Sequence, residues 1–255
     1  MIKPEQSPEH IVFVPGFMCD GQLFRPQIEA LNSKSLSYSI AVMTEERTFR
    51  EMAERILETA PENFAIVGLS MGGIIALEVI KLAPERVTHL ALLNTTPHED
   101  KSIQQRKAHI QRVREGELET IIRDELKPRY LSPSTSKTTL MPLVTKMGET
   151  LGLDVFIRQS VALMIRKSKL DQLSDIHCPT LVLTGDDDTL CPPSIHLQMS
   201  ERIPNSHLEI LPNCGHLSTL EAPEAVTKHL FEHWNLERSN LVEFPNRWAQ
   251  QTQSV

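Results

Sequence analysis

Three stretches of the chain carry residue types that can act together on an acyl group: Ser70 within Gly68-Leu69-Ser70-Met71-Gly72, the acidic run of Gly185-Asp186-Asp187-Asp188-Thr189-Leu190-Cys191-Pro192, and His216 closing Pro212-Asn213-Cys214-Gly215-His216. A serine hydroxyl is a poor nucleophile at neutral pH until an imidazole takes its proton. A carboxylate must then hold that imidazole in one tautomer and stabilise its cation. The chain order Ser, Asp, His is the one that a G-x-S-x-G turn requires. Each residue also has a plainer reading: a serine capping a helix, a solvated acidic turn, a loop histidine. Agreement among three separate loops favours the joint reading, and the other histidines, His89, His98, His109 and His196 among them, lack comparable support. Three adjacent aspartates also suggest a cation site, but no further cluster with ligand spacing accompanies them. The expectation is no metal and no cofactor.

The serine needs a sharp turn to lift it clear of a sheet edge. Phe64 to Val67 is an apolar run that stops at Gly68, and Gly72-Gly73-Ile74-Ile75-Ala76 resumes it after the serine, which reads as strand, turn and buried helix. The helix beginning near Met71 would present unpaired N–H groups and a positive dipole end, suited to an oxygen that becomes negative during acyl transfer. Around this unit, Ile11 to Val14 is a short buried strand ended by Pro15-Gly16, Gln22 to Leu31 a helix, and Tyr38 to Met43 a strand. Thr48 caps a helix over Phe49 to Ala60, and Val87 to Leu93 is a strand closing on Asn94-Thr95-Thr96-Pro97. Further on come a strand over Pro179 to Gly185, a helix over Ile195 to Ile203, a strand over His207 to Leu211 and a helix from Pro223 to Trp234. Six short strands alternating with helices imply an α/β fold with a doubly wound, mainly parallel sheet. Loops at the carboxyl ends of its strands gather on one edge, where all three chemical stretches fall.

Between the fourth and fifth strands, residues 99–170 show helical stretches and no convincing strand, broken at Pro128, Pro133, Pro142 and Gly152. This predicts a helical cap inserted into a core of residues 1–98 and 171–236, with 237–255 a polar tail in which Phe244 and Trp248 could dock. The apolar set of the cap, including Leu140, Leu143, Phe156 and Leu163, is expected to form its underside and part of an acyl pocket. Charge is divided unevenly. Residues 101–170 hold 14 Lys and Arg against 7 Asp and Glu, a net of +7, which leaves −14 for the rest of a chain whose total is −7. Arginines 106, 112, 123, 129, 158 and 166 are therefore candidates for holding an anionic substrate or an acidic carrier protein.

At 255 residues, 40% hydrophobic and 23% charged, the chain suits one large domain with an insertion. No apolar stretch is long enough to span a bilayer, and neither overall basicity nor aromatic interleaving points to nucleic acid. The opening residues lack an apolar signal core, and Cys19, Cys178, Cys191 and Cys214 lack C-x-x-C spacing, so a cytoplasmic protein with reduced thiols is expected.

From Ile11 to Trp234 the chain resembles the α/β-hydrolase superfamily, specifically its small esterases and lactonases, on Gly68-Leu69-Ser70-Met71-Gly72-Gly73, the Gly185 to Pro192 loop and Asn213-Cys214-Gly215-His216. The resemblance implies a serine hydrolase of a small carboxylic ester, thioester or lactone, with Ser70 as nucleophile and His216 as proton shuttle. In family loops of the form G-x-x-D-x-x-x-P the fourth residue is the acid, which implies Asp188; Glu99 or Asp100 after the fourth strand is the fallback. The resemblance also implies an oxyanion hole from the backbone N–H groups of Phe17 and Met71. Two departures stand out: Pro15-Gly16 replaces the family's His-Gly, and the chain begins too late for the antiparallel hairpin that opens many members' sheets. A lyase or acyltransferase on the same triad, or a ligand-binding receptor with vestigial turnover, is the alternative.

Overall fold

The computed structural model describes residues 7–32, 36–135 and 137–236, so the expectations for the tail, Phe244 and Trp248 included, lie outside the described residues. Six strands form one parallel sheet in the order β2-β1-β3-β4-β5-β6: β1 (His10–Val14), β2 (Ser37–Ile40), β3 (Phe64–Leu69), β4 (Val87–Leu93), β5 (Thr180–Gly185) and β6 (Ser206–Leu211). The inner strands are apolar on both faces because helices cover both. Ile11, Phe13, Val67 and Leu181 pack on one side with helices α1 (Arg25–Asn32) and α9 (Pro223–His233). Val12, Val14, Ile66 and Val182 pack on the other with α2 (Phe49–Thr59), α3 (Met71–Leu82) and α7 (Pro193–Arg202). The alternation within each strand is the period-two consequence of the pleat. Truncating a residue such as the fully buried Ile66 to alanine would cost about 2–5 kcal/mol.

Local signals explain where elements start. Thr48 Oγ1 accepts the Glu51 N–H at 3.1 Å while Glu51 Oε2 accepts the Thr48 N–H at 3.3 Å, a reciprocal cap worth about 1 kcal/mol. This turns the amphipathic α2 so that Met52, Ala53 and Ile56 face the core. The second strand ends at Ile40, earlier than its apolar run suggests, because the Met43 carbonyl is taken by Gln159 Nε2 at 2.8 Å instead of by the sheet.

Between β4 and β5 the described residues form helices: α4 (Ile103–Arg114), the short α5 (Leu118–Thr120), a widened turn over Ile121–Leu126, a tight turn over Lys127–Arg129 and α6 (Lys137–Ile165). Pro142 does not break α6, contrary to expectation; the loss of one donor is tolerated here. The interruption comes at Gly152, whose φ of 80° and ψ of −178° few other residues would adopt. Where the insertion rejoins the core it is tied down: the Lys169 N–H donates to the Pro97 carbonyl at 2.7 Å, the Lys169 ammonium pairs with the buried Glu78 of α3, and Arg166 Nε donates to the His98 carbonyl at 2.9 Å. No helix among the described residues is long and apolar enough to cross a membrane.

Candidate active site

Ser70 stands between β3 and α3 with φ 55° and ψ −115°, a backbone state that costs about 1–3 kcal/mol and persists only where its surroundings enforce it. The enforcement is steric. A Cβ on Gly72 would overlap the Val14 carbonyl, and one on Gly68 would overlap the Gly72 carbonyl, so the strand-to-helix turn closes only over glycine. Thr95 secures it from the loop after β4, donating from Oγ1 to the Ser70 carbonyl at 2.6 Å, while its own N–H donates to His196 Nε2 at 3.0 Å. That acceptor role needs a neutral imidazole; burial pushes His196 down to about 4.

His216 and Asp188 arrive on the loops after β6 and β5. His216 Nε2 lies 2.9 Å from Ser70 Oγ, and its Nδ1 lies 2.8 Å from Asp188 Oδ2. Burial, the largest influence on Asp188, raises its pKa, but the adjacent His216 and the hydrogen bonds from His216, Cys191 and Asn94 outweigh it and hold the carboxyl below its usual value. Asp188 Oδ1 accepts the N–H groups of Leu190 and Cys191, both at 2.9 Å, and Oδ2 accepts Asn94 Nδ2 at 3.0 Å. The other two aspartates are exposed and tie loops together: Asp187 accepts Ser132 Oγ at 2.5 Å, and Asp186 accepts the Cys214 N–H at 3.3 Å. Asp100 pairs with Arg106, and Glu99 sits exposed at the mouth, so neither is the hydrogen-bond partner of His216.

Phe17 and Met71 face the same cavity of about 270 Å³ as Ser70 and His216. Met71 opens α3, where the first N–H groups have no intrahelical acceptor. Phe17 lies in a tight turn after β1 whose next residue, Met18, has φ 51°, and the turn is held from the insertion. Gln159 Oε1 accepts the Met18 N–H at 2.9 Å, the wholly buried Lys127 donates to the Met18 carbonyl at 2.8 Å, and Phe156 meets the Phe17 ring edge-on at 5.3 Å between centroids. Tyr130 completes the surround: its carbonyl accepts the His216 N–H at 2.8 Å and its ring lies 5.3 Å from the imidazole.

Asn94, Tyr130, Lys127 and Gln159 were not singled out as site residues from the sequence. Only Asn94 carried a signal, as the first polar residue after an apolar strand at the sheet edge; the other three depend on how the insertion folds back. Of the apolar set in the insertion, Leu163 lines this cavity, whereas Leu140 and Leu143 line a separate one beside α8 (Ser218–Glu221).

A family model described as the alpha/beta hydrolase family matches residues 11–229. The chain belongs to that family. Among curated relatives of this hydrolase, the pimeloyl-[acyl-carrier protein] methyl ester esterase of Nitrosomonas europaea is 26% identical over 189 residues, covering 68% of this chain and 72% of the relative. Among solved structures, a thermophilic esterase from Thermogutta terrifontis superposes with a TM-score of 0.80 at 24% identity, covering 91% of each chain. The enol-lactonase from Burkholderia xenovorans LB400 gives a TM-score of 0.79 at 17% identity, covering 89% of this chain and 91% of that one. At these identities the two structural likenesses describe the fold.

Proposed function

We propose that this hydrolase cleaves a small carboxylic ester, thioester or lactone through an acyl-Ser70 intermediate. The observation that carries the reading is the unbroken chain from Ser70 Oγ to His216 Nε2 at 2.9 Å and from His216 Nδ1 to Asp188 Oδ2 at 2.8 Å, opening on a cavity. In the proposed reaction Ser70 Oγ bonds to the substrate carbonyl carbon as its proton passes to His216 Nε2. Asp188, buried and ionised, holds Nδ1–H and stabilises the imidazolium. The carbonyl oxygen, now negative, is met by the N–H groups of Phe17 and Met71. As the tetrahedral intermediate collapses, the bond to the leaving oxygen or sulfur breaks and that atom takes the proton from His216. Water then attacks the acyl-serine, gives its proton to His216, and releases the acid as Ser70 regains its hydrogen.

The helices of residues 99–170 serve in this reading as a cap over the cavity. The name of the Nitrosomonas europaea relative supports a methyl ester presented on an acyl-carrier protein as one form of the substrate. A panel of short p-nitrophenyl esters, with fluorophosphonate labelling of wild type and Ser70→Ala, tests the proposal. Turnover and labelling confined to the wild type are expected; equal turnover by Ser70→Ala would overturn it.

A further inference from the structure

The six candidate arginines of the insertion, a set that leaves out only Arg114, separate sharply by surroundings. Arg112 is held by Glu117 and Glu125 at 2.6 and 2.7 Å, Arg123 by Asp124 at 2.8 Å, and Arg158 by the Thr44 carbonyl at 2.7 Å, all away from the cavity. Arg129 lines the cavity but is exposed at its rim. Arg106 and Arg166 line it from within, with side chains 23% and 8% exposed, and share one buried carboxylate, Asp100. Arg106 donates from Nε to Asp100 Oδ2 at 2.6 Å, whereas Arg166 Nη1 is 3.9 Å from the same oxygen, too far for a hydrogen bond. Asp100 Oδ1 is already occupied by the Ser102 N–H at 2.9 Å.

Two guanidinium groups against one buried carboxylate leave a positive charge without a buried counterpart in the cavity wall, the other acid of the lining, Glu99, being exposed at the mouth. Both groups are fixed. Arg166 is pinned by Nε to the His98 carbonyl and by Nη1 to the Leu163 carbonyl at 3.3 Å, and Arg106 stacks its guanidinium 5.3 Å above the Phe17 ring centre. Among the described residues, no acceptor is found for Arg106 Nη1 and Nη2 or for Arg166 Nη2. A guanidinium fork on the ring of Phe17 stands beside the turn whose N–H is proposed for the oxyanion, so an anion seated there would belong to the same small molecule as the reacting carbonyl.

We infer that Arg106 and Arg166 form a seat for a carboxylate of the substrate, which makes the preferred substrate a half-ester, half-thioester or lactone bearing one free carboxylate close to the scissile carbonyl. The inference rests on the hydrolase reading and narrows its substrate class. A planar carboxylate matches the guanidinium fork, and one negative charge balances the uncompensated one. Arg106 and Arg166 act on specificity, leaving the proton transfers to Ser70 and His216.

The experiment compares monoethyl glutarate with ethyl pentanoate, matched in length and differing by the carboxylate, by proton release at constant pH and low salt. In the wild type kcat/KM should favour the half-ester by at least about tenfold, as expected for a charged hydrogen-bonded pair, and the ratio should shrink as salt is added. Arg106→Gln should cut the ratio about tenfold or more, with Arg106→Lys in between. Asp100→Asn, which keeps the acceptor for Ser102 and removes the competing charge, should raise the ratio. A purely structural role for this cluster would lower turnover of both esters without moving the ratio. A wild-type ratio near one at low salt, or a fall in the ratio with Asp100→Asn, would overturn the seat. The hydrolase reading would then still stand if Ser70→Ala abolished turnover of ethyl pentanoate, and would fall separately if it did not.

Discussion

Gln159, on the insertion's long helix, accepts the Met18 N–H at 2.9 Å and so fixes a peptide of the turn after β1. Its Nε2 is committed to the Met43 carbonyl at 2.8 Å, and the side chain is 1% exposed. A buried amide spending both ends on backbone is a rigid strut, and the turn it braces carries the Phe17 N–H. Replacing Gln159 by Leu should leave the Met18 N–H buried and unpaired at a cost of about 1–3 kcal/mol in stability. If the Phe17 N–H serves the oxyanion as proposed, the change should lower kcat by about tenfold or more with little change in KM, because such a donor counts in the transition state only. Gln159→Glu, which keeps the acceptor, should recover part of kcat. Weaker unfolding resistance with an unchanged kcat would restrict Gln159 to a structural part.

The three aspartates after β5 should behave unequally. Asp188→Asn should reduce kcat by orders of magnitude by favouring the wrong tautomer of His216, whereas Asp186→Asn should fall within a fewfold of wild type. Asp187→Asn loses a partner of Ser132 and should show in thermal stability before it shows in rate. Steady-state kinetics on one ester decides this, and a larger loss for Asp186 than for Asp188 would reject the assigned register.

Asn94 offers an independent check on the acid. Its Nδ2 bridges Asp188 Oδ2 and the Gly215 carbonyl at 3.0 and 3.1 Å, and its Oδ1 accepts Ser218 Oγ at 2.5 Å. With φ 47° at this position, Asn94→Asp is the conservative choice; it places a second carboxylate against Asp188. That repulsion should depress kcat and shift the acid limb of the pH–rate profile upward, since like charges raise carboxyl pKa values. A profile superimposable on wild type would contradict the contact.

Stability should fall on the acid side for a definable reason. His196 is fully buried and held neutral at about 4 in the fold, while the unfolded chain takes up its proton near 6.5. Between those values the unfolded state binds more protons, so the contribution is complete above pH 6.5 and is lost progressively as pH falls to about 4. It amounts to about 3 kcal/mol, a large share of typical net stability. Denaturant melts from pH 7 to 4 should show the decline. His196→Asn, whose side chain does not take up a proton over this range, should be less stable at pH 7 and show a shallower slope; an unchanged slope would assign the acid sensitivity elsewhere.

The sheet was legible because its signal is local: each inner strand is an apolar run with turn residues at its end, and the elbow glycines announce a contact only they permit. Strand Ser37–Ile40 was blurred because it lies at the sheet edge and its continuation is held by Gln159, a partner far away in sequence. Ser70 and His216 were singled out from spacing, while the preference for Asp188 over its neighbours came from a resemblance, since what sets Asp188 apart, its burial and its contact with His216, belongs to the folded loop. Gln159 and Lys127 were illegible for the same reason. A glutamine and a lysine, each near an arginine or acidic residues in the sequence, look like solvent-facing residues until the insertion is docked, and Pro142 misleads in the opposite direction.

Lys127 has a consequence for how such enzymes can be recombined. Its ammonium donates to the Met18 carbonyl, lies 3.3 Å from Cys19 Sγ and stands 5.0 Å over the ring of Tyr130, whose carbonyl holds the His216 backbone. Through Tyr130 this side chain thus links the first loop of the sheet to the last, and the proposed cap is no interchangeable part. A chimera that imports a relative's helical segment at residues 99 and 170 inherits a foreign partner for Met18 and should come out inactive even when well folded. Grafts that carry residues 16–19 along with that segment should retain turnover.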